Sequence, residues 1–336
     1  MSKRKAPSDD NCNSDLCDLL TELANYERNI TKNIYKANAY RKAASTLGHL
    51  SHRVKSGDEA KELPGIGEKI AKKIDEFLTT GKLQKLENIN KDENNIAINL
   101  LTRVSGIGPA KAKELVDSGI KTLEELYLHE NLLTHHQKLG LKYFADFEKK
   151  IPRVEMEELE QIIRETILKY DDKYIISLCG SYRRAKSESG DIDVLITHPS
   201  FTSSDKELKK DTKLLNNVVD RLREIGFIKD TISLGPMKFM GVCRHPKDES
   251  RPFRRLDIRL CPCDQYYCAV LYFTGSDLFN QNMRAYALEK KFTLNEYSLR
   301  RLTSEGVSGE PEPVDSEEAI FRILGLDYKK PEERDL

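Results

Sequence analysis

In the first third of the chain, Leu19, Leu20, Leu23, Tyr26 and Ile30 fall at three- and four-residue steps, the spacing of one apolar helix face. That pattern predicts helices from residue 16 to about 51 and an all-helical start. Residues 88–95 (NINKDENN) are polar and aperiodic, which predicts a linker or exposed turn and a boundary near residue 90. After Pro152 the pattern changes. A helix over 155–170 leads into runs rich in β-branched and apolar residues at 174–178, 192–197 and 256–260, the mark of strands. The second half therefore reads as mixed α and β. Pro, Gly and acidic residues across 305–318 predict a loop-rich surface before a last element at 319–324, and the first ten residues are expected to be disordered.

The 336 residues suffice for two to four modules at about 100–200 residues each. Charged residues make up 33% and hydrophobic ones 38%, and 55 basic side chains balance 55 acidic ones, a composition of globular proteins with polar surfaces. No apolar run approaches the ~18 residues of a membrane helix, and the start MSKRKAPSDD has no apolar signal-peptide core, so neither a membrane nor a secreted protein is expected. Seven cysteines without finger-like CxxC pairs argue against a disulfide framework or structural zinc. The balance of charge is uneven along the chain: residues 28–90 hold 13 Lys and Arg against 7 Asp and Glu, and residues 305–336 hold 4 against 10. The first stretch could grip phosphates, although two solvated faces would give the same counts.

One motif repeats. Leu63-Pro64-Gly65-Ile66-Gly67 and Val104-Ser105-Gly106-Ile107-Gly108 each precede a lysine-containing helical stretch. Glycine permits positive φ and close approach, and a helix start offers N–H groups to an anion. Such contacts hold a sugar-phosphate strand without reading its bases. Pro109 suits a first helical turn. The pattern resembles the helix-hairpin-helix of DNA repair proteins. That resemblance implies a monovalent cation, Na⁺ or K⁺, on the backbone carbonyls of Lys61, Leu63 and Ile66, and of Thr102, Val104 and Ile107.

After the first hairpin, Lys69, Lys72 and Lys73 lie on one helix, with Lys36, Arg41 and Lys85 in neighbouring segments. Crowded cations disfavour protonation, so one lysine could remain neutral and attack an aldehyde while the others hold a phosphate. A solvated DNA-binding face has the same composition, and spacing does not choose the nucleophile.

Leu178-Cys179-Gly180-Ser181 is followed by Asp191-Ile192-Asp193-Val194-Leu195-Ile196, and later by Arg255-Leu256-Asp257-Ile258-Arg259. Asp191 and Asp193, two apart, share a strand face. A third aspartate on an adjacent strand would complete a nest for two Mg²⁺ ions and in-line phosphoryl transfer. Ser181, Arg183, Arg184, Ser189 and Gly190 offer donors suited to phosphate oxygens. Further on, Tyr272-Phe273-Thr274-Gly275-Ser276-Asp277 precedes a helical stretch with Asn280, Gln281, Met283 and Arg284, a combination that could wall a nucleotide pocket or simply serve as core.

The Gly-Ser, Asp-x-Asp pattern resembles the nucleotidyltransferase superfamily with its mixed-sheet palm. GSYRRAKSESGDIDVLITHPSFTS, RRLDIRL, DQYYCAVLYFTGSDLFNQNMRA and NEYSLR, following the two hairpins, resemble the X-family DNA polymerases over nearly the whole chain, and the chain length fits the short repair members of that family. The resemblance implies a multidomain α and α+β fold. Its parts would be a helical 5′-deoxyribose-phosphate lyase and DNA-binding domain (1–90), a helical thumb with the second hairpin (91–151), a nucleotidyltransferase palm (152–262) and an α+β nascent base-pair domain (263–336).

It further implies Lys73 as the Schiff-base lysine, with Tyr35, Lys36, Tyr40, Lys69, Lys85, Gly65, Gly67, Gly106, Gly108 and Arg284 contacting DNA. Asp191 and Asp193 would bridge two Mg²⁺ (Mn²⁺ as a substitute), and Asp257 would bind one of them and help deprotonate the primer 3′-hydroxyl. Lys150, Ser181, Arg184, Ser189 and Gly190 would hold the triphosphate, Tyr272, Phe273 and Gly275 the sugar, Asp277 the base and Asn280 its minor-groove edge. Gapped or nicked DNA, dNTP and other base excision repair proteins are the implied partners. A monomer is implied, in the nucleus and also the cytoplasm, with Lys3-Arg4-Lys5 as a short basic tract. Two positions depart from the family pattern: Lys150 stands where arginine is usual, keeping charge but losing the bidentate fork, and Tyr35 replaces a stacking histidine. Three alternatives are weaker. A template-independent transferase needs a longer palm loop than 201–213, a non-catalytic DNA-binding protein would not keep the aspartates and the lysine, and an RNA-tailing enzyme has no use for two DNA hairpins.

Overall fold

The computed structural model describes residues 11–204 and 213–335. The first ten residues with their Lys3-Arg4-Lys5 tract, and most of the 201–213 connection, lie outside the described residues. The chain divides into two compact units, 1–141 and 142–336.

The first unit is helical throughout its described part: α1 (Ser14–Asn29), α2 (Ile34–Gly48), α3 (Gly57–Lys61), α4 (Glu68–Thr80), α5 (Gln84–Ile89), α6 (Glu93–Leu101), α7 (Pro109–Asp117), α8 (Leu123–Leu128) and α9 (His135–Lys142). The apolar steps along α1 bury Leu16, Leu19, Leu20 and Leu23 against Ala43 and Leu47 of α2 and Ile74 of α4. Within residues 88–95 the expected exposed turn is confined to 90–92, between the end of α5 and the start of α6. The side chain of Asp92 accepts hydrogen bonds from the N–H groups of Asn94 and Asn95 and starts α6, so a cap supplies what apolar periodicity did not show.

The two glycine hairpins, between α3 and α4 and between α6 and α7, share one bonding pattern. Leu63 N–H donates to Ala60 O and Ile66 N–H to Leu63 O; Val104 N–H donates to Leu101 O and Ile107 N–H to Val104 O. Gly65 and Gly106 have φ of +84° and +88°, which only glycine adopts cheaply.

The second unit is built on a five-stranded mixed sheet, with β2 (Ile175–Leu178), β4 (Ile192–Thr197), β5 (Ile228–Leu234), β6 (Lys238–Cys243) and β7 (Arg254–Leu260) in the order β2-β4-β7-β6-β5. β4 and β7 run parallel and the other pairs antiparallel. α11 (Arg153–Tyr170) and α13 (Lys213–Glu224) cover one face, burying Leu159, Ile163, Val218 and Leu222 against Val194, Ile196, Leu256 and Ile258. A buried bidentate pair, Arg254 with Glu155 at 2.8 Å, ties β7 to the start of α11. α10 (Phe144–Phe147), β1 (Ile151–Pro152), α12 (Gly180–Arg183) and β3 (Glu188–Ser189) flank the sheet, and β1 pairs with β3.

α14 (Tyr266–Thr274), α15 (Asp277–Glu289), a three-stranded sheet of β8 (Phe292–Leu294), β9 (Leu299–Leu302) and β10 (Ser308–Pro311), and α16 (Glu317–Leu324) complete the unit. The stretch 305–318 is thus less loop-rich than its composition predicts. Gly306, at φ +79°, turns the chain so that β10 pairs with β9.

Candidate active sites

The parallel pairing of β4 with β7 sets Asp193 directly opposite Asp257. Because Ile192, Val194, Leu256 and Ile258 point into the core, strand alternation puts both aspartates on the other face, with Asp191 two residues before Asp193. Arg255, which sequence spacing did not single out, lies on that face too. Its guanidinium donates to Asp191 Oδ2 at 2.5 Å and stands 3.6 Å from Asp257 Oδ2. The signal was present in RRLDIRL, where Arg255 precedes Asp257 by one strand period.

Asp257 Oδ1 is buried without a hydrogen-bond partner. Burial, and then the charges of Asp191 and Asp257, push the Asp193 carboxyl up to about 7, and burial raises Asp257 as well. Among the described residues no three His, Cys, Asp or Glu side chains form a ready-made metal cage; the guanidinium of Arg255 is the cation that Asp191 and Asp257 share. Three carboxylates, one with an orphaned buried oxygen, nevertheless make a hard-oxygen donor set of the kind Mg²⁺ takes.

The donors predicted beside the aspartates converge in part. Ser181 Oγ donates to Ser189 Oγ at 3.0 Å. Ser189 pairs with Ile151, and a Cβ on Gly190 would lie 3.8 Å from Lys150 Nζ. Arg184 faces Gly275, with its NH1 donating to Thr274 O at 2.7 Å, and its Nε meets Asp335 at 3.0 Å. Arg183 is committed elsewhere: it bonds Glu317 and the Thr274 hydroxyl, so it ties α12 to α16 instead of facing the aspartates.

Tyr272 and Phe273 lie in the last turn of α14 and Asp277 begins α15. Phe273 lies under Arg259 at 4.8 Å, and both line a cleft with Asp193 and Asp257. Asn280 Nδ2 donates to Tyr272 O at 2.8 Å, while Arg284 sits 4.9 Å over the Tyr272 ring and 3.5 Å from Glu296.

In the first unit, a pocket of about 500 Å³ gathers Lys36, Tyr40, Gly65, Gly67, Lys69, Lys73 and Lys85. Arg41 is not among its lining residues, Lys72 is exposed and pairs with Glu68 at 3.2 Å, and Tyr35 is 91% exposed. The pocket distinguishes lysines that spacing left equivalent. Lys73 is half-buried and donates to Lys69 O at 3.0 Å, and burial followed by the charge of Lys85 lowers its pKa below the ordinary lysine value. Glu27 carried no signal in the sequence. It lines the same pocket, is 2% exposed, and holds Lys85 Nζ at 2.7 Å and the Thr31 hydroxyl at 2.7 Å. Burial works against its charge, but Lys85 and Thr31 outweigh burial and keep its pKa below the ordinary glutamate value.

Family models match the chain in sequence: a helix-hairpin-helix domain at 11–83, the fingers domain of DNA polymerase lambda at 99–148, the DNA polymerase beta palm at 150–263 and the DNA polymerase beta thumb at 269–335. Similar curated proteins include DNA polymerase lambda of Rattus norvegicus, 35% identical over 91% of this chain and 54% of that protein. DNA polymerase lambda of Arabidopsis thaliana is 35% identical over 92% of this chain and 62% of its own length. DNA nucleotidylexotransferase of Ambystoma mexicanum is 28% identical over 97% of this chain and 69% of its own length. The chain thus spans a little over half the length of the polymerase lambda relatives. The palm sheet with its aspartates lies within the stretch that matches the DNA polymerase beta palm, and that match sets the class. Within that class, the chain belongs to the X family of DNA polymerases.

Proposed function

We propose that this chain is a short-gap repair DNA polymerase. It transfers nucleotides from dNTP to a primer 3′-hydroxyl under template direction, and it removes a 5′-deoxyribose phosphate through a Schiff base on Lys73. The in-register placement of Asp193 and Asp257 beside Asp191, with one Asp257 oxygen unsatisfied, carries the reading.

Two Mg²⁺ ions, or Mn²⁺, held by Asp191, Asp193 and Asp257 would supply charge neutralisation at the attacking and leaving oxygens. The protein's own residues do the rest. Asp257 accepts the 3′-hydroxyl proton through Oδ1, the oxygen that has no hydrogen-bond partner among the described residues. Ser181, Ser189, the backbone at Gly190, Lys150 and Arg184 hold the triphosphate. Tyr272, Phe273 and Gly275 line the sugar, and Asp277, Asn280 and Arg284 respond to base-pair geometry.

At the second site, the neutral Lys73 Nζ attacks the C1′ aldehyde and the carbinolamine loses water to form an imine. Removal of a C2′ proton and cleavage of the C3′–O3′ bond then leave a 5′-phosphate on the DNA, and hydrolysis returns the free amine. Lys36, Tyr40, Lys69 and Lys85 surround the phosphate in that pocket. Helix starts at Gly67 and Gly108 hold strand phosphates, and the hairpin carbonyls of Lys61, Leu63, Ile66, Thr102, Val104 and Ile107 suit Na⁺ or K⁺. The setting is base excision repair in the nucleus, and also the cytoplasm, with a monomer acting on gapped DNA beside other repair proteins.

The test offers the protein a one-nucleotide-gapped duplex bearing a 5′-deoxyribose phosphate, Mg²⁺ and each dNTP in turn. Insertion of only the complementary nucleotide, lost in Asp257→Ala, with sugar-phosphate release lost in Lys73→Ala, is the expected result. Insertion irrespective of template would make it a terminal transferase, and no product would leave a DNA-binding protein.

A further inference from the structure

The segment after α16 returns to the palm and is held there by a buried residue. Arg334 is fully buried: its NH1 meets Glu317 Oε1 at 2.5 Å, its Nε donates to Lys329 O at 2.9 Å, and the guanidinium lies 5.5–5.6 Å from the rings of Phe279, Phe321 and Tyr328. Its carbonyl accepts from Ser276 N–H at 3.2 Å, at the corner between α14 and α15. Anchored in this way, the next residue, Asp335, presents its carboxylate to Arg184 Nε at 3.0 Å and forms an ion pair with Lys186 Nζ. Arg184 and Asp335 are only 14% and 19% exposed, so solvent screens their attraction less than at an open surface. Arg184 NH1 is already bonded to Thr274 O.

We propose that Asp335 is a built-in anion that competes with the nucleotide triphosphate for Arg184, so that nucleotide binding requires this clasp to open. The inference rests on the reading of Arg184 as a triphosphate ligand. Both anions seek the same donors of one guanidinium: NH1 is taken by Thr274 O and Nε by Asp335, so a triphosphate oxygen gains the Nε side only by displacing Asp335. The apparent nucleotide affinity is then reduced by the fraction of molecules in which Asp335 holds Arg184. Lys186 strengthens the closed state from the other side of the carboxylate. The charge on Asp335 is secure despite burial, because Lys186 and Arg184 together hold its pKa below the ordinary aspartate value.

The test measures the dissociation constant of the complementary dNTP for the protein on one-nucleotide-gapped DNA with a chain-terminated primer. Asp335→Asn is expected to tighten binding by about threefold to tenfold, the range set by one partly buried ion pair and its competing population. Lys186→Ala, which loosens the clasp without altering Arg184, shifts affinity in the same direction. Arg184→Ala weakens binding, and Asp335→Asn adds nothing in that background. Weaker or unchanged affinity in both Asp335→Asn and Lys186→Ala, with thermal midpoints intact, overturns the clasp while a weakened Arg184→Ala leaves the triphosphate reading standing. If Arg184→Ala has no effect on affinity, the reading of Arg184 fails and the clasp fails with it.

Discussion

A Cβ at residue 180 would lie 2.7 Å from Asp193 Oδ2, on a backbone whose φ is +61°. Gly180→Ala therefore meets strain and a clash together. It should cost about 1–2 kcal/mol in urea unfolding and lower single-turnover insertion about 100-fold, the penalty of displacing a reacting group by roughly 1 Å. Glu27 admits a subtler test. The proposed Schiff base would need neutral Lys73, so borohydride trapping should rise with pH through the Lys73 pKa, which already lies below the ordinary lysine value. The negative charge of Glu27 raises that pKa, so Glu27→Gln should move the trapping midpoint to lower pH; a change of amplitude at a fixed midpoint would mean that Glu27 only supports the fold. The two residues differed in legibility. Gly180 stands in a Gly-Ser step ahead of Asp-x-Asp, a spacing visible in the chain, whereas Glu27 reads as one more polar position of α1 because its partner Lys85 is 58 residues away.

The two hairpins make the clearest element-scale case. Gly106→Ala places a Cβ 2.9 Å from the His136 ring at φ +88° and should destabilise the protein by about 1–2 kcal/mol. At Gly108 the backbone has φ −85° and a Cβ would meet nothing within 4 Å. Gly108→Ala should then leave stability within about 0.5 kcal/mol yet weaken binding to gapped DNA several-fold, because the added methyl would stand where the proposed phosphate contact meets the helix start. Thermal melts and fluorescence titrations on the same pair of variants separate the two effects. The repeat was legible because glycine at a positive-φ turn is a local demand. The start of α6 and strand β10 were not, since each depends on a single cap or turn, Asp92 or Gly306, that apolar periodicity does not register.

Across the whole molecule the formal charge is zero, but the basic excess lies in 28–90 and the acidic excess in 305–336. On the proposed reading the cations around the pocket of α4 supply phosphate contacts, so affinity for gapped DNA should fall with salt, and Lys69→Ala should reduce the log–log slope by about 0.9, the release of one counterion. An unchanged slope would remove Lys69 from the phosphate contacts. The helical start, the mixed second half and the candidate chemistry were legible along the chain, because periodicity, glycine spacing and paired aspartates are encoded within a few residues of one another. Tertiary structure alone decided which charges meet. It set Asp193 opposite Asp257, brought Arg255 to Asp191 across 64 residues, withdrew Arg183 to Glu317, half-buried Lys73 but not Lys72, and delivered Asp335 to Arg184. Burial and strand register arise from contacts between distant segments, and those contacts set the electrostatics on which the chemistry depends.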